Sequence, residues 1–242
     1  MAEVTLAELA ALGVELPPTE DDLPYDDGMP MESQRHVMQL QLLMDPLRRY
    51  WADRQDVFIG GNMFVYFSLE QVRKRDFLGP DFFVALGVPP RERKSWVIWQ
   101  EGKGPDVVIE LLSYSTMARD KGEKKRLYQD CMRVPEYFWF DPFSGEWAGF
   151  TLRDGVYVPI AMDAQERLFS QQLDLLLVRW EGSYHGLSAG WLRWATVTGV
   201  LLPTPQEALE QEQQRATEAQ QRVQTTEALL ARYRERFGEI PE

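Results

Sequence analysis

The chain has 242 residues, 44% hydrophobic and 12% aromatic, which suits one large domain or a domain with an appendage and excludes a wholly disordered chain. A net charge of −12 argues against a simple nucleic-acid coat protein. The single cysteine, Cys131, excludes an internal disulfide framework, and no run approaches the ~20 apolar residues of a membrane span.

Residues 1–32 hold nine acids and no Lys or Arg, and 205–242 hold eight acids against five arginines. That leaves 21 acids and 21 bases in 33–204, so the acidity belongs to the ends. The N-terminus lacks a basic flank and a cleavage site, so no signal peptide is read and a cytoplasmic protein without membrane association is expected.

Residues 1–32 read as an acidic arm, a short helix followed by the Pro- and Asp-rich loop "LPPTEDDLPYDDGMPMES". Over 33–54, Val37, Leu40, Leu43, Leu47 and Tyr50 recur at three- and four-residue steps, which predicts a helix with one apolar face. From residue 56 the period changes. "DVFIGGNMFVYFS" reads as two strands around the turn "GGN", and "DFFVALGV", "SWVIWQ" and "VVIELLS" as three further strands. "STMARDKGEKKRLYQDCM" returns to helical spacing, with Cys131 as a small core residue. "EYFWFDP" is an apolar strand, and "EWAGFTLRDGVYVPI" a hairpin turning at "RDG". This order predicts an α+β or α/β domain around one sheet, spanning 33–204.

The tail 205–242 differs in kind. Thr204 suits an N-cap, Pro205 the first helical position, and Glu207 completes a capping box. Leu209, Ala216, Val223, Leu230 and Phe237 recur at seven-residue steps, which reads either as a thin coiled-coil seam along which two copies pair or as a solvated single helix.

Two acids interrupt the apolar pattern. Asp81 opens the strand "DFFVALGV", and Glu110 sits inside "VVIELLS". A buried acid costs several kcal/mol unless something pairs with it. The helix that follows carries Asp120, Lys124 and Tyr128 at i, i+4 and i+8, which share one face. If that face folds back on the strand ends, carboxylates, a lysine and a tyrosine converge. Hard oxygen ligands of this kind select Mg²⁺ or Mn²⁺, which can acidify a water and neutralise phosphoryl charge. Plainer roles are expected elsewhere: Asp106 in a turn, Asp141 closing a strand, His185 incidental in a loop, and the aromatics of 137–139 and 191–194 in the core. Two histidines without close pairing argue against zinc.

The stretches "GPDFFVALGV", "PDVVIELLSYSTMARDKGEKKRLYQDCMRVPEYFWFDP" and "LLPTPQEALEQEQQRATEAQQR" closely resemble the Uma-type endonuclease family of the PD-(D/E)XK superfamily. The resemblance covers about 25–205 and implies a restriction-endonuclease-like α/β core, a mixed sheet flanked by helices. It implies Mg²⁺-dependent (or Mn²⁺-dependent) hydrolysis of DNA, with Asp81, Glu110 and the peptide carbonyl of Leu111 as metal ligands. The superfamily's Glu-x-Lys pattern would place lysine at 112, where this chain has Leu112. Lys124 matches the position at which the Uma-type pattern keeps lysine, and Asp120 and Tyr128 match its neighbours. Glu32, with His36 one turn later, is a further carboxylate candidate. The rival expectations are a nuclease fold that binds without cutting, and a coiled-coil adaptor.

Overall fold

The computed structural model describes residues 11–13, 16–26, 28, 31–74 and 78–238. The short helix expected near the N-terminus falls largely outside them. Contacts divide the chain into two compact units, Met1–Leu202 and Pro203–Glu242.

Helix α1 (Gln34–Tyr50) starts at Ser33, whose side chain accepts from the His36 amide as N-cap. Among the described residues, eleven strands follow it, interleaved with three short α-helical pieces, the first of them α2 (Leu69–Lys74). Six of them, β1 (Val57–Gly61), β3 (Phe82–Leu86), β5 (Val107–Leu111), β6 (Glu136–Phe140), β7 (Trp147–Arg153) and β8 (Val156–Pro159), form one sheet in that order. Only β5 and β6 run parallel within it; their neighbours are antiparallel. The protein is therefore a mixed α/β structure.

Strand alternation sorts the core. Phe82, Val84, Val107, Ile109, Leu111, Phe138 and Phe140 face α1 and a second sheet of β9 (Leu168–Ser170), β10 (Leu175–Tyr184) and β11 (Leu187–Ala195). Phe83, Ala85, Val108 and Tyr137 face the opposite way, against Tyr128, Val134 and Trp96. Asp81 and Glu110 fall on this second face by the same alternation.

Several expectations change. The apolar face of α1 is rotated: Val37 and Tyr50 are 40% and 51% exposed, while His36, Met38, Gln39 and Leu42 are buried. The helix is wedged between two apolar clusters, Leu40, Leu43 and Leu47 meeting the large sheet and Met38 and Leu42 meeting Trp191. The two strands around "GGN" exist, but β1 pairs with β3, and β2 (Val65–Tyr66) pairs in parallel with β4 (Trp96–Val97). The glycines serve close packing instead. A Cβ on Gly60 would stand 2.3 Å from the Phe83 ring, and one on Gly61 would stand 2.5 Å from the Met44 sulfur.

The strand expected through "SWVIWQ" stops at Val97 and becomes a helical turn, α3 (Ile98–Glu101), ended by Gly102 at φ 76°. Its Glu101 is drawn back onto Arg93, which holds it with two bonds of 2.8 and 2.9 Å. The "RDG" turn is as expected, with Asp154 and Gly155 both at positive φ in a two-residue hairpin. Residues 137–139 and 191–194 are mostly core, though Trp139 is half-buried.

The segment after β5 begins as α4 (Met117–Arg119) and continues with two π-helical stretches, Asp120–Lys124 and Leu127–Cys131. The wider turn shows at its end, where the Met132 amide donates to Leu127 five residues back. This slides the core position by one. Met132 is buried, and Cys131, expected in the core, is exposed.

The described residues of the acidic arm pack within the first unit. Leu23 is buried with Tyr66 and Val97, and Asp21 pairs with Lys94 at 2.7 Å. In the second unit, α5 (Pro205–Phe237) is a single helix of 33 residues. Thr204 and Glu207 form the expected capping box, with bonds of 3.2 and 2.8 Å.

Candidate active site

Two strand ends and one helix build the site. Asp81 stands at the start of β3, where its backbone carbonyl accepts from the Asn62 amide at 2.9 Å. Its Oδ2 accepts from the Leu111 amide at 2.7 Å, tying it to the end of β5. Glu110, next to that amide, is wholly buried, and its Oε2 accepts from the Asp81 amide at 3.4 Å. Each acid is thus held by the backbone beside the other.

The helix 117–131 closes over them. Lys124 Nζ lies 3.2 Å from Glu110 Oε1 and 2.9 Å from Asp120 Oδ1. The second contact is an ion pair whose angles fall outside hydrogen-bond geometry, so the buried Asp120 Oδ1 has a charge partner but no directed donor. The Tyr128 hydroxyl donates to Glu110 Oε1 at 2.6 Å, and the Tyr137 hydroxyl donates to the Asp120 carbonyl at 2.9 Å. The face foreseen from the i, i+4, i+8 spacing does fold onto the strand ends. It does so through π-helical turns, a geometry common where function concentrates.

The charges are crowded. Asp81 keeps some exposed surface yet is densely surrounded by protein atoms. Burial, then repulsion from Glu110, holds its carboxyl well above the usual range, against Lys124 and the Leu111 amide. Burial also raises Glu110, opposed by Lys124 and assisted by Asp120. Burial disfavours the Lys124 ammonium, but Glu110, Asp120 and Asp81 outweigh it and its pKa is raised. Burial, with the adjoining Glu110 charge, keeps the Tyr128 phenol protonated.

The remaining candidates lie at the lip. Glu32 is exposed, and its Oε1 accepts from the Ser113 hydroxyl at 3.2 Å. His36 is buried; its Nε2 donates to the Leu112 carbonyl at 3.2 Å while Nδ1 faces Ser33 Oγ at 2.8 Å. Leu111 contributes its amide to Asp81, and its side chain is core. Asp106 accepts from the Leu86 amide and the Lys103 ammonium, and Asp141 from the Phe143 and Ser144 amides, so both are fold residues. His185 occupies the β10–β11 turn. A hydroxyl cluster escaped the sequence reading: Ser113 Oγ meets Ser115 Oγ at 2.9 Å and Thr116 Oγ1 at 3.0 Å. The run "SYST", which begins three residues after Glu110, is its sequence signal.

Among the described residues, no group of three or more His, Cys, Asp or Glu side chains is arranged to hold a metal ion. Mg²⁺ asks less than that, since it keeps several waters and takes one or two carboxylates. Asp81 and Glu110 meet this demand with hard oxygen donors, and three crowded carboxylates share one ammonium. The donor set fits a hydrated divalent cation rather than a fully caged one.

Fold and site together define a mixed α/β protein with a buried carboxylate–lysine centre at the ends of its central strands. The chain belongs to the Uma2 family, described as "Putative restriction endonuclease", whose model matches residues 14–181. A solved structure from Anabaena variabilis, described as a putative nuclease belonging to DUF820, is similar at 16% identity and a TM-score of 0.44, over 71% of this chain and 91% of that one. No curated protein matches.

Proposed function

We propose that the protein is a metal-dependent endonuclease that hydrolyses DNA phosphodiester bonds. The observation that carries this reading is the Lys124 ammonium, 3.2 Å from a fully buried Glu110 that is bonded to the Asp81 backbone. Inert folds gain little from such groups, since apolar residues of similar volume are often as stable or more so. Family membership supports the same reading.

Asp81 and Glu110 would hold Mg²⁺ or Mn²⁺, with the Leu111 carbonyl as a third ligand. Such an ion supplies an acidified water and neutralises charge on the phosphoryl oxygens. Lys124, its pKa raised, stays protonated at neutral pH. It therefore stabilises negative charge on the reacting phosphate and does not act as the base. Asp120 holds that ammonium from behind, and Tyr128 orients the Glu110 carboxylate through its 2.6 Å bond. Glu32 shapes the lip through Ser113. Because Asp81 and Glu110 bind protons more tightly than free carboxylates, protons compete with the metal, and activity rises with pH.

Cutting both strands suits a homodimer. Exposed Leu209, Val223 and Leu230, which lie at multiples of seven along α5, support pairing of two copies through that helix.

The test is nicking of supercoiled plasmid with Mg²⁺, Mn²⁺ or EDTA, beside Glu110→Gln and Lys124→Ala. Metal-dependent nicking lost in both variants is expected. Well-folded protein that never cuts would replace this reading with a nuclease fold that binds without cutting.

A further inference from the structure

Strands β5 and β6 run parallel with Leu111 opposite Phe140, so the loops leaving them start side by side at the Glu110 end. Three residues beyond each strand stands an exposed aromatic, Tyr114 at 103% and Phe143 at 62% relative exposure. A lone exposed aromatic needs no explanation. Phe143 has a distinctive neighbour.

The Arg35 guanidinium lies 5.2 Å from the Phe143 ring and 5.6 Å from the Trp191 ring, stacked between them. Its Nε is buried without a hydrogen-bond partner, and its bond to the Gly190 carbonyl is long, at 3.4 Å. No carboxylate pairs with it among the described residues. The side chain is half-buried, and a buried Nε–H donor without an acceptor is costly. His36, next along α1, ties this cluster to the site: its ring is 5.8 Å from Phe143, and its Nε2 bonds the carbonyl of Leu112, two residues past Glu110.

We propose that this rim binds an unpaired polynucleotide strand, its bases stacked on Tyr114 and Phe143 and a phosphate bonded by Arg35, and feeds it to the neighbouring carboxylate–lysine centre. The inference rests on the nuclease reading for that last step alone. Aromatic side chains reach the faces of bases only when those bases are unstacked, which a single strand allows and a regular duplex does not. Charge points the same way. With 21 acids and 21 bases in 33–204, counterion release contributes little, and stacking carries most of the affinity.

The test uses the full chain in EDTA, so that binding is read without cleavage. Fluorescence anisotropy compares labelled oligothymidine of about 15 nucleotides, long enough for a stacking groove, with a duplex of the same length. The single strand is expected to bind at least about tenfold more tightly, with a shallow salt dependence. Tyr114→Ala and Phe143→Leu should each weaken it by about five- to hundredfold, and Tyr114→Trp should restore it. Phe143→Leu keeps an apolar contact for His36, and Tyr114 is fully exposed, so neither loss can be assigned to unfolding. Arg35→Gln should weaken binding and reduce the salt slope by about one. Equal or tighter duplex binding, or unchanged affinity in Tyr114→Ala, would overturn the proposal. Plasmid nicking alongside that result would leave the nuclease reading standing. Tyr114-dependent strand binding by a protein that never cuts would do the reverse.

Discussion

Replacing Lys124 with methionine keeps most of the side chain's apolar stem and removes the cation between two buried acids. At 3.2 and 2.9 Å, each contact is worth roughly 5 kcal/mol of Coulomb attraction at an effective dielectric near 20. Desolvating three ions, at several kcal/mol each, offsets most of that sum. Removing one partner of such a pair costs about 3–5 kcal/mol, because the charges left behind stay buried. The loss depends on pH. Glu110 and Asp81 already have raised folded pKa values, so the folded state holds protons that the unfolded chain releases. Their penalty is absent below the unfolded carboxylate range and grows as pH rises towards the folded values. Without Lys124, Glu110 loses its main opposing charge and its folded pKa climbs further, at about 1.4 kcal/mol per unit. The expected outcome is a loss near 4 kcal/mol at about pH 8, shrinking to about half at pH 5, where protonation relieves the acids. Urea unfolding followed by tryptophan fluorescence reads it, since all eight tryptophans lie between 51 and 194, within the first unit. A loss that is the same at both pH values, or below about 1 kcal/mol at pH 8, would refute the argument.

Tyr128→Phe removes a single 2.6 Å bond to Glu110 and leaves the ring in place. A cost of about 1.5–3 kcal/mol is expected, with a fall in plasmid nicking at unchanged secondary structure by circular dichroism. Gly60→Ala drives a methyl into the Phe83 ring, and a loss of about 1–3 kcal/mol is expected from urea titration. Gly60→Ala together with Phe83→Leu should recover part of that loss, which a purely backbone effect would not allow.

Asp81 and Glu110 were legible because each broke an apolar alternation, and a charge in such a place demands a partner. Asp120, Lys124 and Tyr128 were legible because their four-residue spacing survives a change from α- to π-helical turns. The α5 cap was legible because Thr204, Pro205 and Glu207 act locally. Arg35 differs in this respect. Nothing in "MESQRH" distinguishes an arginine stacked between Phe143 and Trp191, since those rings lie over 100 residues away. The pairing of β1 with β3 is not legible for a similar reason. "GGN" has the composition of a turn, and only Phe83 and Met44 explain why its glycines must lack side chains.

Local chemistry, written in adjacent residues, determined most of the strands between 56 and 160, where α5 begins, and that two strand acids needed a cationic neighbour, whereas the second sheet of β9, β10 and β11 was not read from it. Only tertiary structure decided which strands pair, which faces of α1 are buried, and that Lys124 lies between Glu110 and Asp120. Those outcomes depend on contacts between residues far apart in the chain. Their free energy exists only once the whole sheet and its covering helices have formed, so no short window of sequence contains it.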